Sequence, residues 1–460
     1  MDGQNIYQPQ TPTPVVPVPQ VTPSAPKRRF PKIIIFILLG IVLLSLIFAA
    51  VKFLPKKTAG GGEITMWGLW EDEPTFAPLI AEYQQQNPGV KIAYVRQSQQ
   101  DYRERLTNSL AKGDGPDIFR FHNSWVPMLK SSLDYVPASV VSPADFAKNY
   151  YPVMTSDLSS GTGIVGIPLM YDGLALFINQ DIFDKAGKIP PTTWDELRIT
   201  AKALTQKDDQ GVITQAGVAL GKTGNVDNWP EILALMMLQN GVSLSKPTGK
   251  LAEDALTFYT LFSTVDGVWD DTQPPSTVAF ATGKLAMYLG PSWRAFEIMQ
   301  QNPSLKFKVV PVPQVTKISQ NQPGTTYATY WVEGVWAKSN NKKAAWDFLK
   351  FLSSKDSLTK LYTNASAQRQ FGEPYPRTDM ADLLKDQPIL APIISQAPNA
   401  ESWYLDSRTF DGPTGINSQI NKYFEDAVNA VGSGTPASKA LETVASGVSQ
   451  ILAQYGMIAK

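Results

Sequence analysis

The sequence contains no cysteine among its 460 residues and only one histidine, His122. Without cysteine the chain cannot form a disulfide, a thiolate metal site, a cysteine nucleophile or a lipid-modified cysteine anchor. One histidine cannot build a metal site, because such sites need several convergent ligands. Lysine plus arginine and aspartate plus glutamate both number 41, so no net charge steers the chain to nucleic acid. The sequence therefore predicts no metal, no cofactor and no nucleic-acid partner.

The first 62 residues differ in composition from the rest of the chain. Residues 1–32 are rich in proline, glutamine, threonine and valine, which predicts a disordered, partly extended cytoplasmic tail. Residues 33–51 carry no charge over nineteen positions, long enough as a helix to span the ~30 Å hydrocarbon core of a membrane. We predict a retained transmembrane anchor; the alternative is a cleaved signal peptide, whose apolar stretch is usually about 7–15 residues. Residues 52–62 end in three glycines and predict a flexible linker.

The orientation of this anchor follows from the basic residues beside it. Lys27, Arg28, Arg29 and Lys32 lie immediately before the apolar stretch, and a smaller lysine group follows it. The positive-inside rule then places the tail in the cytoplasm. We expect a single-pass protein of the cell membrane with residues 63–460 on the extracytoplasmic side, which is too long a segment for one ordinary core.

Strand-like and helix-like patterns alternate at the start of this folded part. Residues 64–67, 90–95 and 118–121 have strand character, and two helical patterns at about 76–87 and 99–111 separate them. Strand–helix–strand–helix–strand at this spacing predicts a parallel, doubly wound sheet. Ligands of such α/β sheets bind beyond the carboxyl ends of the strands.

Two loops follow strands at that edge, and each brings a tryptophan together with hydrogen-bonding side chains. Trp70 and Glu71 follow the first strand, whereas Asn123 and Trp125 follow the third. Carboxylates and amides suit vicinal hydroxyl groups, and aromatic planes suit sugar rings. We therefore expect ligand contacts here; the alternative for both tryptophans is packing in the core. Trp67, inside the strand, is expected to pack.

Residues 166–197 combine a turn, a strand and a capped helix. Residues 174–178 are a continuous apolar run, which indicates a strand buried on both faces. Thr193, with Glu196 three residues later, is the pattern of a capping box, so a helix is predicted from Trp194.

This segment resembles the signature of the bacterial extracellular solute-binding proteins of the sugar-binding, maltose-binding-protein-like type. The matching positions are Gly166, Pro168, Leu176, Phe177, Asn179, Asp181, Phe183, Ala186, Gly187, Pro191, Thr193, Trp194, Glu196 and Leu197. Residues 280–293 give a second match, to the Phe-x-x-Gly-Lys-x-Ala-Met strand of the family and the Gly-x-x-Trp that follows it.

The resemblance implies an α/β, two-lobed periplasmic-binding-protein fold, with hinged doubly wound sheets preceded by one transmembrane helix. It implies lobe 1 over residues 63–171, lobe 2 over residues 172–330, and a return to lobe 1 over residues 331–390. Residues 391–460 are expected to pack on lobe 2 and the hinge. The function it implies is capture of a sugar or oligosaccharide by hinged closure, with delivery to the permease subunits of an ABC importer.

In relatives that bind sugar, an aromatic residue near the second match stacks on a sugar ring, and Trp293 inherits that role by resemblance. Asp117 is expected either to bind ligand or to serve as a turn residue. The expected ligand-binding residues are Trp70, Glu71, Asp117, Asn123, Trp125, Tyr171, Asp172, Trp229, Trp293, Tyr330, Trp331 and Arg377. Residues 403–415 depart from the maltose-binding type, which leaves Trp403 outside this set.

Two other functions stay open from the sequence: a carbohydrate sensor or adhesion module, and a glycoside-processing enzyme. Such an enzyme needs two carboxyl groups about 5–5.5 Å or about 6.5–9.5 Å apart. Glu71, Asp72 and Asp172 are the candidates for that pair. We expect a binding protein without enzymatic activity, and for His122 a local hydrogen-bonding role, because the chain has no Gly-x-Ser-x-Gly elbow beside which it would act.

Overall fold

The computed structural model describes residues 62–316 and 324–457. The predicted tail, the predicted anchor and all but the last residue of the predicted linker lie outside the described residues. Within the described part, no helix combines the length and the apolar character that crossing a membrane requires.

Strands and helices alternate along most of the described chain. The strands are β1 (Glu63–Gly68), β2 (Lys91–Arg96), β3 (Ile118–His122), β4 (Ser159–Ser160), β5 (Gly163–Ile164), β6 (Ile167–Pro168), β7 (Ala175–Asn179), β8 (Gln206–Lys207), β9 (Ile213–Val218), β10 (Leu285–Gly290), β11 (Phe307–Val310), β12 (Thr326–Tyr327), β13 (Trp331–Val335) and β14 (Ala400–Glu401). The helices are α1 (Glu73–Gln86), α2 (Tyr102–Lys112), α3 (Val126–Leu129), α4 (Pro143–Asn149), α5 (Pro152–Leu158), α6 (Gln180–Ala186), α7 (Trp194–Leu204), α8 (Trp229–Gln239), α9 (Lys250–Thr264), α10 (Ser276–Ala281), α11 (Arg294–Gln301), α12 (Lys342–Leu352), α13 (Lys355–Ser366), α14 (Leu390–Gln396), α15 (Ile416–Gly432) and α16 (Ala437–Gln454). Short 3₁₀ helices cover Asn123–Trp125, Thr378–Leu384 and Ala397–Asn399.

Lobe 1 is the body built on a five-stranded sheet with the order β2-β1-β3-β13-β6. β1 pairs in parallel with β2 and β3, which confirms the predicted opening of a parallel, doubly wound sheet. β13 lies antiparallel between β3 and β6, although more than 150 residues separate it from either strand along the chain. Helices α1, α12 and α13 pack together beside this sheet.

Lobe 2 is the body built on a second five-stranded sheet with the order β11-β7-β10-β9-β8. Every residue of β7 is buried, as its apolar run predicts. β7 is antiparallel to both of its neighbours, β10 and β11, whereas β10 and β9 run parallel. The two lobes together form the two-lobed α/β fold that the family resemblance implies.

Local signals in the sequence determine where two helices of lobe 2 begin. Thr193 Oγ1 accepts a hydrogen bond from Glu196 N at 3.2 Å, and Glu196 Oε2 accepts one from Thr193 N at 3.2 Å. The predicted capping box is therefore confirmed, and α7 begins at Trp194. Asn179 ends β7 and caps α6 by accepting a hydrogen bond from Ile182 N at 3.2 Å.

The C-terminal helices bring the end of the chain back to both lobes. α15 and α16 pack against each other and against α9 of lobe 2. α15 also contacts the 3₁₀ helix that follows β3 in lobe 1. The loop that precedes α15, residues 402–415, is thereby held close to the carboxyl end of β3.

Candidate functional site

A cavity of about 380 Å³ is lined by residues from both lobes. Lobe 1 contributes residues from the loops after β1 and β2, from the end of β3, from the start of β13 and from the loop after α13. Lobe 2 contributes residues from α8 and from the turn that joins β10 to α11. The complete lining is Trp70, Gln99, His122, Met170, Asp172, Asn228, Glu231, Pro291, Trp293, Phe296, Glu297, Thr329, Tyr330, Trp331, Arg369, Glu373, Ser407, Arg408 and Phe410.

Tryptophans from both lobes line this cavity. In lobe 1 the rings of Trp70 and Trp331 meet edge to face, with centroids 5.4 Å apart. Trp293 of lobe 2 is contacted by the guanidinium groups of Arg294 and Arg408, which lie 4.4 and 5.2 Å from its ring centroid. Trp70 Nε1 is buried and has no hydrogen-bond partner among the described residues. The cavity thus offers broad aromatic surface from both lobes.

The structure brings five of the expected residues to the cavity lining: Trp70, Asp172, Trp293, Tyr330 and Trp331. The others do not line it. Of these, Asn123 lines a different cavity, of about 520 Å³, together with Trp403.

Glu71 and Asp117 are engaged inside lobe 1. The Arg120 side chain, 1% exposed, forms ion pairs with Glu71 and with Glu333. Its Nε lies 2.9 Å from Glu333 Oε1. Asp117 accepts hydrogen bonds from Thr65 N at 2.9 Å and from Ser339. These bonds favour the second expectation for Asp117, that it serves as a turn residue.

Asn123, Trp125 and Tyr171 are buried behind the cavity rather than in it. Trp125 is completely buried and stacks on Tyr102, with ring centroids 6.0 Å apart, so we assign it the packing role. Asn123 Nδ2 donates to Asp157 Oδ2 at 3.0 Å, and the Tyr171 ring packs between Tyr151 and Tyr330.

Trp229 and Arg377 also lie outside the cavity. Trp229 is the first residue of α8 and is buried in lobe 2. Arg377 makes two hydrogen bonds of 2.9 Å to Asp379, and its guanidinium lies 5.8 Å from the ring centroid of Tyr150. Neither side chain is free to meet a ligand.

Among the carboxylates that line the cavity, Asp172 accepts the largest number of hydrogen bonds from described residues. It accepts hydrogen bonds from Gly173 N, Ser292 N and Ser292 Oγ at 2.8, 3.0 and 2.7 Å. Burial nevertheless raises the pKa of Asp172 to about 7, and these hydrogen bonds act in the opposite direction. The group therefore titrates near neutral pH.

His122 lines the cavity and forms hydrogen bonds with two hydroxyl groups. Its Nδ1 lies 2.7 Å from Ser124 Oγ, and its Nε2 lies 3.1 Å from Thr329 Oγ1. Burial lowers the pKa of His122 to about 3, so the imidazole is neutral at pH 7. Asp406 Oδ2 is 3.7 Å from Nε2, but burial, and next the charge of Glu231, hold the pKa of Asp406 well above its usual range. Because the imidazole is neutral, the approach of Asp406 to Nε2 is not an ion pair at pH 7.

The bacterial extracellular solute-binding protein family matches residues 78–390, which is more than half of the chain. A binding protein of Brucella abortus (strain 2308) is 24% identical over 308 residues, with coverage of 63% of this chain and 71% of that protein. The maltotriose-binding protein of Pyrococcus abyssi is 19% identical over 319 residues, with coverage of 66% and 65%. A solved cyclo/maltodextrin-binding protein complexed with maltotetraose superposes with a TM-score of 0.67 at 17% identity, over 85% of this chain and 97% of that chain.

The chain belongs to the bacterial extracellular solute-binding protein family.

This solute-binding protein lines its cavity with residues that the sequence pattern did not single out. Phe296 and Glu297 lie one helical turn after Trp293, so a helical projection of α11 from Trp293 would have found them. Glu231 lies two residues after Trp229 in α8. No sequence signal marks Arg408 and Phe410.

The arginines of the lining are already paired with carboxylates. Arg369 forms an ion pair with Glu373, and Arg408 Nη1 lies 3.2 Å from Glu297 Oε1. Asp172 and Glu231 carry no arginine or lysine partner among the described residues. The lining of this solute-binding protein therefore presents hydrogen-bonding groups and aromatic faces to a ligand, with its guanidinium groups already engaged, which suits a polar, uncharged solute.

Proposed function

We propose that this protein captures a sugar or oligosaccharide in the cavity lined by both lobes and delivers it to the permease subunits of an ABC importer. The family supports solute capture, and two similar proteins are named for maltotriose and for cyclodextrins or maltodextrins. In this proposal residues 33–51 anchor the protein in the cell membrane, with the lobes on the extracytoplasmic side.

The observation that carries the proposal is the distribution of the tryptophans. Trp70 and Trp331 belong to lobe 1, and Trp293 belongs to lobe 2, yet all three line one cavity. A ligand that stacks on rings from both lobes has more contacts when the lobes are closed than when they are open. Only such a differential affinity drives closure, which is the physical requirement for hinged capture.

We assign the ligand contacts to Trp70, Asp172, Trp293, Tyr330 and Trp331. Asp172 and Glu231 supply acceptors for sugar hydroxyl groups, and Asn228 supplies an amide. For the lobes we keep residues 63–171 and 331–390 in lobe 1 and residues 172–330 in lobe 2, with residues 391–460 on lobe 2 and the hinge.

Binding rather than glycoside hydrolysis is the function that the carboxylates favour. Two of the three candidate carboxylates, Glu71 and Asp72, do not line the cavity: Glu71 bonds to Arg120 and Asp72 bonds to Arg96. Asp172, the third, accepts hydrogen bonds from three donors of its own chain. No two of these candidates therefore line the cavity together, as a pair that flanks a glycosidic bond would have to.

The proposal is tested by calorimetric titration of the purified full-length chain with neutral sugars of several linkage types. We expect one series to bind without release of shortened products. Trp293→Ala should weaken that binding at least tenfold, or about 1.4 kcal/mol, because a stacking surface is lost. Trp403→Ala is the matched control, since Trp403 lies outside this cavity. Absence of binding to every sugar, or an unchanged affinity in Trp293→Ala, would contradict the proposal.

A further inference from the structure

Residues 407–410 form a short segment of unusual backbone conformation in the wall of the cavity. Arg408 has φ 51° and Phe410 has φ 54°. Across residues 62–316 and 324–457, Asp101 is the only other residue besides glycine with a positive φ. Bulky side chains rarely adopt this left-handed conformation, which persists only where surrounding contacts enforce it. Residues with such backbone strain cluster at ligand sites, so the conformation of this segment indicates a role in ligand binding.

Contacts on both sides fix the segment in place. Ser407 N donates to Glu231 Oε1 at 2.8 Å, which joins the segment to α8 of lobe 2. Beyond Phe410, Asp411 accepts a hydrogen bond from Asn417 N at 2.7 Å, at the start of α15. Arg103 of α2 in lobe 1 bonds to the backbone carbonyl of Asp411. The segment is therefore tied to lobe 1, to lobe 2 and to α15.

The two strained residues contact the tryptophans of opposite lobes. The Phe410 ring packs against Trp70 of lobe 1, with centroids 5.6 Å apart. The Arg408 guanidinium lies 5.2 Å from the ring centroid of Trp293 of lobe 2 and is paired with Glu297. One short segment thus reaches from the aromatic surface of one lobe to that of the other.

We propose that residues 407–410 limit the length of the ligand by closing one side of the cavity, so that the site selects short sugars over long oligosaccharides. This inference rests on the proposed function. A sugar chain that stacks on Trp70 meets Phe410 at the edge of that ring. A chain that stacks on Trp293 meets Arg408, which covers part of the indole. Phe410 and Arg408 are then the specificity-determining residues.

The volume of the cavity agrees with a short ligand. About 380 Å³ corresponds to roughly a dozen water molecules at ~30 Å³ each. A hexose has twelve non-hydrogen atoms, and covalently bonded atoms lie much closer together than separate water molecules, so the space accommodates about two rings. A chain of six rings exceeds it several-fold and has to pass residues 407–410.

The test is a calorimetric comparison of ligand length on the full-length chain. The probes are neutral ladders of one to six rings: the α-1,4-glucan, β-1,4-glucan and β-1,4-mannan series. For the series that binds, we expect the wild-type affinity to peak at one or two rings and to fall at least tenfold by six rings. Phe410→Ala and Arg408→Ala should each reduce the ratio of the best affinity for a short sugar to the affinity for six rings at least fivefold. Each substitution opens the side of the cavity that residues 407–410 close.

Controls separate the effect on length from an effect on folding. The Arg408 side chain is 45% exposed, so Arg408→Ala retains the fold even where Phe410→Ala lowers the melting temperature. Arg198→Ala, which removes an arginine–carboxylate pair with Asp266 away from the cavity, should leave the length profile unchanged.

The outcomes distinguish this inference from the proposed function. If the wild-type chain binds six rings as tightly as two, the inference is wrong and sugar capture stands. If both variants keep the wild-type length profile, the inference is wrong in the same way. If no sugar of any length binds, the proposed function fails, and the inference fails with it.

Discussion

Asp172 and Ser292 are joined by two hydrogen bonds, from Ser292 N to Oδ1 at 3.0 Å and from Ser292 Oγ to Oδ2 at 2.7 Å. Asp172 lies just before β7, and Ser292 lies in the turn before α11. The pair therefore fixes that turn to the segment that enters lobe 2. Because Trp293 follows Ser292 directly, the pair also positions the aromatic ring that lobe 2 contributes to the cavity.

Replacing Asp172 by asparagine should change how stability depends on pH. The pKa of Asp172 is about 7, above its usual 3.8, so the folded state keeps a proton that the unfolded state releases between these values. The free energy of unfolding therefore falls as pH rises from about 4 to 7. The amide oxygen of the Asp172→Asn variant accepts the same backbone hydrogen bonds and the side chain does not titrate, so we expect that decline to shrink by on the order of 3 kcal/mol.

Urea denaturation at several pH values between 4 and 7 checks this expectation. Contributions from other titrating groups, among them Asp157 with its pKa raised to about 6 by burial, are common to both proteins and cancel. Asp386→Asn, at an exposed aspartate, is the control and should follow the wild-type profile. Parallel profiles for wild type and Asp172→Asn would show that folding does not raise the pKa of Asp172.

Arg120→Met should destabilise lobe 1 strongly. The variant removes the only side-chain partner that Glu333 has among the described residues, and it leaves Glu333 and Glu71 buried without compensation. Breaking a buried pair from one side costs about 3–5 kcal/mol. Arg96→Met, in a pair with Asp72 whose two side chains are 48% and 59% exposed, should cost less than about 1 kcal/mol. Chemical denaturation of both variants measures the difference in unfolding free energy. Equal losses of unfolding free energy would contradict a special role for the buried group of Glu71, Arg120 and Glu333.

Trp125→Ala should lower the stability of the protein while leaving its affinity for the sugar nearly unchanged. The indole is completely buried in lobe 1, so its removal leaves a cavity and costs about 3–5 kcal/mol of unfolding free energy. The affinity of the folded fraction for its sugar should change less than threefold, because Trp125 does not line the ligand cavity. Titration at a temperature well below the melting point tests this. A tenfold loss of affinity with intact folding would contradict a packing role limited to stability and would show that Trp125 positions Trp331, whose ring centroid lies 5.5 Å from its own.

Gly217→Ala should disrupt the packing of α7 on β9. A Cβ at Gly217 would lie 2.0 Å from the Ala201 carbonyl oxygen, and backbone atoms cannot move aside cheaply. Overpacking of this kind costs typically about 1–3 kcal/mol and occasionally more. Gly224→Ala is the matched control, because a Cβ there meets nothing within 4 Å. Thermal melts of the two variants should differ by several degrees; similar melting temperatures would show that α7 shifts without loss.

The fold was largely predictable because its signals are local. The buried run of β7, the capping box at Thr193 and the β–α–β–α–β opening each depend on residues that are neighbours in the chain. The antiparallel insertion of β13 was not predicted, because pairing between distant strands leaves no periodicity in either strand. The predicted membrane anchor lies outside the described residues, so it remains part of the proposal.

The candidate site was predictable only in part. Trp70 follows a strand end and lines the cavity, as expected for a loop at the edge of an α/β sheet, and Trp293 lines it as the family resemblance implies. Trp125 also follows a strand end, but the 3₁₀ turn at Asn123–Trp125 directs it into the core. Arg408 and Phe410 reach the cavity through the return of the C-terminal segment, which only tertiary structure reveals.

The position of β13 in its sheet has a consequence for how the protein is made. β6 bonds only to β13 within that sheet, so the edge of lobe 1 lacks its neighbour until residue 335 has left the ribosome. The sheet of lobe 2 is complete by residue 310, twenty-five residues earlier. The sheet of lobe 1, which begins the folded chain, is thus the last to be completed, and its unpaired strand edge is the one exposed to non-native pairing for longest during synthesis.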